Sequence, residues 1–319
     1  MNILGKIRRK LTNILIIFFG NIEWVWPKYR LPNIKNINAS DNYNFKNPFL
    51  ISKPYSHSLL ETISELGSRI VKDQPFCLIR LGDSEMMFLS GKMVGNIVNR
   101  SFLTSDIKKY DLKEYKDKLS KSDYVCIHDN KSMKSLLPKL SLNGLSKNIS
   151  FENMYQLTSS RILFLLLNGL RVGVIGAEEK VNVIKKLITY SEYKDYIKNC
   201  DISEFIGVPQ KGASQDNSKT MKLIEDQMQS KIDVYLVGMS VAKILILPEL
   251  RDKHKCSFID IGVGIDALAG VIPNSKSFFG NWTNYRMVNY DYSNINFFHQ
   301  QKQTKIVIEN IHELGIKHD

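Results

Sequence analysis

The chain has 319 residues, 43% hydrophobic and 24% charged, which argues against disorder for its bulk and allows one or two packed domains. Lys and Arg outnumber Asp and Glu by 44 to 32, an excess that suits an anionic partner without choosing among nucleic acid, an acidic membrane and a phosphate-bearing substrate. Cys77, Cys126, Cys200 and Cys256 lie far apart with no CxxC pair, which argues against a zinc site or disulfide framework and for a reducing cytoplasm.

Residues 1–30 carry Lys6, Arg8, Arg9, Lys10, Lys28 and Arg30 against Glu23 alone. Between the basic groups Leu11, Ile14, Leu15, Phe18, Ile22 and Val25 share one helical stripe, closed by Trp24 and Trp26. A spanning helix needs roughly 20 apolar residues, and Asn13, Asn21 and Glu23 interrupt this one. The pattern suits a helix lying on the inner face of the membrane in peripheral contact with anionic lipid; packing against protein is the other reading. Residues 31–55 are rich in Asn and contain Pro32, Pro48 and Pro54, which makes them an irregular connector and 1–55 a unit apart from the rest.

From residue 56 onward helix and strand patterns alternate. Leu59–Val71 has helical apolar spacing and stops before Pro75. Short apolar runs then read as strands: 76–80, 124–127, 172–175, 234–237 and 257–261. Between them helices are expected over 161–170, 178–190, 219–230 and 241–250. Such alternation predicts an α/β fold, a doubly wound and mostly parallel Rossmann-like sheet with helices on both faces, over residues 56–290. Residues 291–319 form a tail with a last helix expected over 304–314. Four strands end in glycine, at Gly82, Gly176, Gly238 and Gly262, and ligands of such sheets bind beyond the carboxyl ends of the strands. One crevice lined by these turns is therefore expected, with Gly82, Gly176, Gly238, Ser240 and Asp260 as substrate contacts. Asp260 reads equally well as a backbone cap.

The stretch Phe76-Cys77-Leu78-Ile79-Arg80-Leu81-Gly82-Asp83-Ser84-Glu85 is the one with the most chemistry. In an extended turn Asp83 and Glu85 point to the same side and can meet one hard cation, Mn2+ or Mg2+, along with substrate phosphates. Inside a helix they would sit about 200° apart. Arg80 could clamp a phosphate through its planar fork. The alternative is a helix start, with Asp83 or Ser84 as cap and Glu85 in the first turn. His128-Asp129 and Glu178-Glu179 are weaker candidates, the latter better suited to opening a helix. Residues 211–216 have the composition of a loop over the crevice, or of a plain surface loop.

An apolar strand followed by Arg-x-Gly-Asp-x-Glu, an apolar helix and a Gly resembles the signature of the GT-D-type glycosyltransferases. A second block, 233–245, is similar to that family's late strand, Gly turn and helix. Phe258-Ile259-Asp260-Ile261-Gly262 is similar to the strand and Asp-x-Gly that come next in the family. Ser84 stands where the family usually has Gly, and its usual His is missing after Gly262. The resemblance implies a metal-dependent transferase that moves a sugar from a nucleotide-diphosphate sugar to a glycan, lipid-linked or protein acceptor. It implies Asp83 and Glu85 as metal ligands and, with Arg80, as the catalytic set. Two alternatives remain. Residues 258–264 also look like the Asp-x-Gly-x-Gly loop of S-adenosylmethionine-dependent methyltransferases, though few residues follow it. The positive charge would suit a nucleic-acid binder, but the Lys residues are scattered and no aromatic-basic reader motif is present, so no nucleic-acid partner is expected.

Overall fold

The computed structural model describes residues 59–91, 107–127, 147–159, 161–210, 212–229, 231–271, 287, 290–292 and 295. The stripe of residues 11–25, the connector, His128-Asp129, Lys211 and the expected last helix lie outside them. In chain order the elements are α1 (Leu59–Val71), β1 (Cys77–Leu81), α2 (Asp83–Leu89), α3 (Leu112–Leu119), β2 (Tyr124–Ile127), β3 (Lys147–Ser150), α4 (Phe151–Ser159) and α5 (Ile162–Leu166). There follow β4 (Arg171–Ala177), α6 (Glu178–Leu187), α7 (Ser191–Tyr196), β5 (Asp201–Val208), α8 (Asn217–Glu225), β6 (Val234–Val237), α9 (Ala242–His254), β7 (Ser257–Asp260) and α10 (Gly264–Leu268).

The strands form one seven-stranded sheet in the order β3-β2-β1-β7-β6-β4-β5, and every neighbouring pair is parallel. The central strands are apolar and buried on both sides, as a parallel sheet covered by helices requires. Alternate residues divide between two cores. Leu78, Tyr124, Val174, Leu236 and Ile259 face α1, α4, α5, α6 and α10. Ile79, Val125, Ile175, Tyr235 and Phe258 face α2, α3, α8 and α9. Helix α9 is buried almost all round, with Ile244, Ile246, Leu247, Pro248 and Leu250 in the core, which fits its place across the middle of the sheet.

The observed sheet is the doubly wound fold that the alternation predicts. Two elements depart from the sequence pattern. In β5 the register against β4 slips between Val172 and Gly173, so Ser203 is an extra residue and the inward parity changes across it. Ile202 therefore packs on one face and Ile206 and Val208 on the other. Strand β5 is an edge, and the Gln227 side chain covers part of it by pairing with both the N–H and the C=O of Gly207. The helix expected over 161–170 shortens to α5, because Arg161 enters it at φ 66 and Gly169 leaves it at φ 82. Among the described residues no helix is long and apolar enough to cross a membrane.

Candidate active site

Because all strands run one way, the turns after β1, β4, β6 and β7 share the carboxyl edge of the sheet. The helices that follow β1 and β7 take opposite faces, and those two strands are neighbours. Their ends therefore part, and this is the switch point at which a ligand crevice opens in such sheets.

Three charged side chains meet there. Asp260 ends β7 with no exposed surface. Its Oδ2 accepts from the backbone N–H of Arg80 at 2.8 Å and faces the Lys243 ammonium at 2.6 Å. Its Oδ1 accepts from the Gly262 N–H at 2.9 Å. Lys243, on the first turn of α9, reaches on to Glu85 Oε1 at 3.0 Å. Burial alone would lower the Lys243 pKa, but the Asp260 and Glu85 carboxylates outweigh it and hold the group above the ordinary lysine value. The ammonium is therefore charged at neutral pH.

Glu85 is the outlet of this chain of charges. Its side chain keeps 11% of its surface exposed, and its Oε2 folds over Gly82, where a Cβ would sit 2.9 Å from it. Glycine at position 82 thus serves the Glu85 carboxylate by leaving room for it. Among the described residues no hydrogen bond reaches Oε2, so this oxygen is open to a ligand.

Several expected residues occupy different roles. Helix α2 begins at Asp83, after Gly82 in an extended conformation. Asp83 and Glu85 are therefore the first and third residues of a helix, and the extended turn assumed for them does not exist. Arg80 is buried, its guanidinium 4.1 Å from the Phe151 ring centroid and donating to the Ile261 carbonyl. Gly262, at φ 50, passes so close that a Cβ would lie 2.7 Å from Arg80 Nη1. Reaching a phosphate would require the guanidinium to leave both contacts. Asp260 likewise reaches a ligand only through Lys243.

Gly176 and Gly238 both press against Ile265 of α10, at 3.1 Å and 2.6 Å from the position of a Cβ, so they seat that helix. Glu178 and Glu179 open α6, where acidic groups favour the helix dipole. Ser240 is the expected contact with the most unusual backbone, at φ 48 in the turn that leads into α9. A non-glycine residue held there costs of order 1 kcal/mol, and such residues cluster at functional sites.

Lys243 is absent from the residues that the sequence pattern singles out. Its signal was a lone cation in the apolar run Val241-Ala242-Lys243-Ile244-Leu245, but its partners lie 158 residues away at Glu85 and on another strand at Asp260. Among the described residues no group of three or more His, Cys, Asp or Glu side chains is placed to hold a metal ion. The open carboxylate oxygen there is Glu85 Oε2, a hard donor of the kind that suits Mg2+ or Mn2+.

No family profile matches the sequence, and no curated protein matches it. A solved structure described as a new glycosyltransferase from Streptococcus sanguinis is similar at 12% identity and a TM-score of 0.46, over 68% of this chain and 82% of that one. A likeness at that level carries no conclusion about activity.

Proposed function

We propose that the protein is a metal-dependent glycosyltransferase acting on a nucleotide-diphosphate sugar. The observation that carries this reading is the buried Asp260–Lys243–Glu85 relay at the switch point, which ends in one open carboxylate oxygen two residues from Asp83. The Arg-x-Gly-Asp-x-Glu sequence supports it.

In this reading Glu85 would hold the cation through Oε2 together with substrate phosphates, and a bound cation would neutralise charge that builds on the departing nucleotide diphosphate. Lys243 fixes the Glu85 carboxylate through Oε1 and leaves Oε2 for the cation. It also brings positive charge next to the leaving group. Asp260 holds that ammonium in place, and Arg80 braces the β7 turn through Ile261 and Gly262. The backbone N–H groups of Ser240 and the first turn of α9 would, in this reading, be the donors to a phosphate. The acceptor is a glycan, a lipid-linked glycan or a protein. Residues 1–30 would hold the enzyme peripherally on anionic membrane at the cytoplasmic face, which flotation of chains with and without this segment tests.

The direct test is hydrolysis of a panel of nucleotide sugars by the full chain with Mn2+, with Mg2+ and with excess chelator. Metal-dependent release of nucleotide diphosphate from at least one donor is expected. Turnover that persists in excess chelator would contradict the metal role. Absence of turnover with every donor, together with absence of nucleotide-diphosphate binding, would contradict the reading as a whole.

A further inference from the structure

The loop between β5 and α8, with the first residue of α8, carries three buried polar side-chain atoms that no donor or acceptor meets: Gln210 Oε1, Ser214 Oγ and Asn217 Oδ1. Their residues lie in one short stretch of chain, and Ser214 has no exposed surface at all. Native folds leave only a few such atoms per hundred residues, because burial strips their water and gives nothing back. Three within eight residues, at the carboxyl edge of the sheet, form a local concentration.

The rest of the loop is well tied. Asp216 caps α8 by accepting from the Lys219 N–H at 2.9 Å, and the Thr220 hydroxyl donates to the Ala213 carbonyl at 2.7 Å. The unmet atoms are therefore not the product of a loop without structure. The loop is also joined to the helix that carries Glu85. Asn217 Nδ2 donates to the Tyr115 hydroxyl at 2.9 Å, and the Tyr115 ring lies 4.9 Å from that of Phe88 in α2.

We infer that Gln210, Ser214 and Asn217 form the subsite for the sugar hydroxyls of the substrate. This rests on the glycosyltransferase reading and adds to it the group that the loop recognises. The chemistry of the three atoms selects the ligand. In the orientation shown, two of them are amide carbonyl oxygens, which only accept, and an ionised phosphate or carboxylate has no proton to give them. Turning the Asn217 amide over would let the Tyr115 hydroxyl donate to Oδ1, but it would leave Nδ2 unmet instead. A hydroxyl group serves in both cases because it donates and accepts. The division of labour is then spatial. The charged cluster at Glu85 takes the diphosphate, and this neutral, acceptor-rich loop takes the sugar.

The test uses Gln210→Ala and Ser214→Ala in the full chain, titrated with UDP and with UDP-glucose and UDP-N-acetylglucosamine in the presence of Mn2+. Each variant is expected to weaken the nucleotide sugar that wild type binds by about tenfold, the loss of about one hydrogen bond, and to bind UDP within about twofold of wild type. Ser214→Ala should also melt at the wild-type temperature or above it, because its hydroxyl makes no bond in the free protein. A clear drop in that temperature would show a structural role and overturn the inference. Unchanged binding of the nucleotide sugars, or equal loss of UDP, overturns it while leaving the glycosyltransferase reading intact. If wild type binds neither UDP nor its sugars, the titration is repeated with the other nucleotide diphosphates of the panel, and both readings fall together only if none of them binds.

Discussion

Two charged clusters lie at opposite ends of the same sheet, and they are built differently. At the amino edge, Asp123 precedes β2 and is surrounded by donors. Its oxygens accept from Arg69 of α1 at 2.9 Å, from the Cys77 N–H at 2.9 Å and from Arg251 of α9. It ties one helix from each face to two strands, and both of its oxygens are answered. At the carboxyl edge, Asp260 is answered just as fully, but the chain of charges continues through Lys243 to Glu85 and stops at an open oxygen. A closed cluster holds a fold together. One that ends at the surface with an unmet carboxylate beside a switch point is built to receive something.

This contrast can be broken with substitutions at each end. Lys243→Met leaves the Asp260 carboxylate buried without a counter-charge, and loss of one partner from a buried pair costs about 3–5 kcal/mol. Denaturant unfolding should show that loss, and a cost under about 1 kcal/mol would mean the pair is not buried in solution. Glu85→Gln keeps the shape of the side chain and removes its charge. Its stability should stay within about 1 kcal/mol of wild type while metal-dependent turnover falls by about 100-fold or more. Full turnover would remove Glu85 from the site. Asp123→Ala should do the reverse, destabilising by about 2 kcal/mol while leaving binding of nucleotide diphosphate unchanged.

The mildest effect concerns Glu204, a buried carboxyl on the β5 edge. Burial raises its pKa above the ordinary carboxylate value, and the Gln229 N–H and the Tyr235 hydroxyl only partly offset this. Its Oε1 accepts from Gln229 at 2.9 Å, but Oε2 makes no hydrogen bond of ordinary geometry. A raised acid keeps its proton in the native state after the unfolded chain has lost it. Stability from this group is therefore greatest below the unfolded pKa and falls as pH rises through the folded one. Glu204→Gln should raise the melting temperature relative to wild type at about pH 8 and not at about pH 4. A gain of the same size at both values would contradict the shift.

Much of this architecture is legible in the chain. The sequence pattern of α1, β2 and β6 coincides with the observed elements residue for residue, because each is a clean apolar run bounded by Pro, Gly or charge. Strand β5 is hidden by its bulge, since Ser203 shifts the parity of the residues after it and Glu204 then sits where an apolar residue is expected. The site is legible as a list of residues but not as a geometry. Arg80, Glu85 and Asp260 do converge, yet their convergence depends on pairing β1 with β7, which are far apart in sequence. Lys243 could not be placed without that pairing. The extended Asp83–Glu85 turn fails because Gly82 already opens the helix: the Met86 N–H donates to the Gly82 carbonyl at 3.0 Å and closes the first turn over Asp83 and Glu85.

The most decisive experiment is calorimetric titration of Mn2+ into the full chain with and without UDP, repeated on Glu85→Gln. Wild type should bind the metal at least about tenfold more tightly with UDP present than without it. Glu85→Gln should lose that coupling while unfolding at nearly the same temperature. Equal metal binding with and without UDP, or coupling that survives in Glu85→Gln, would contradict the assignment of the open carboxylate oxygen to a metal-bound diphosphate.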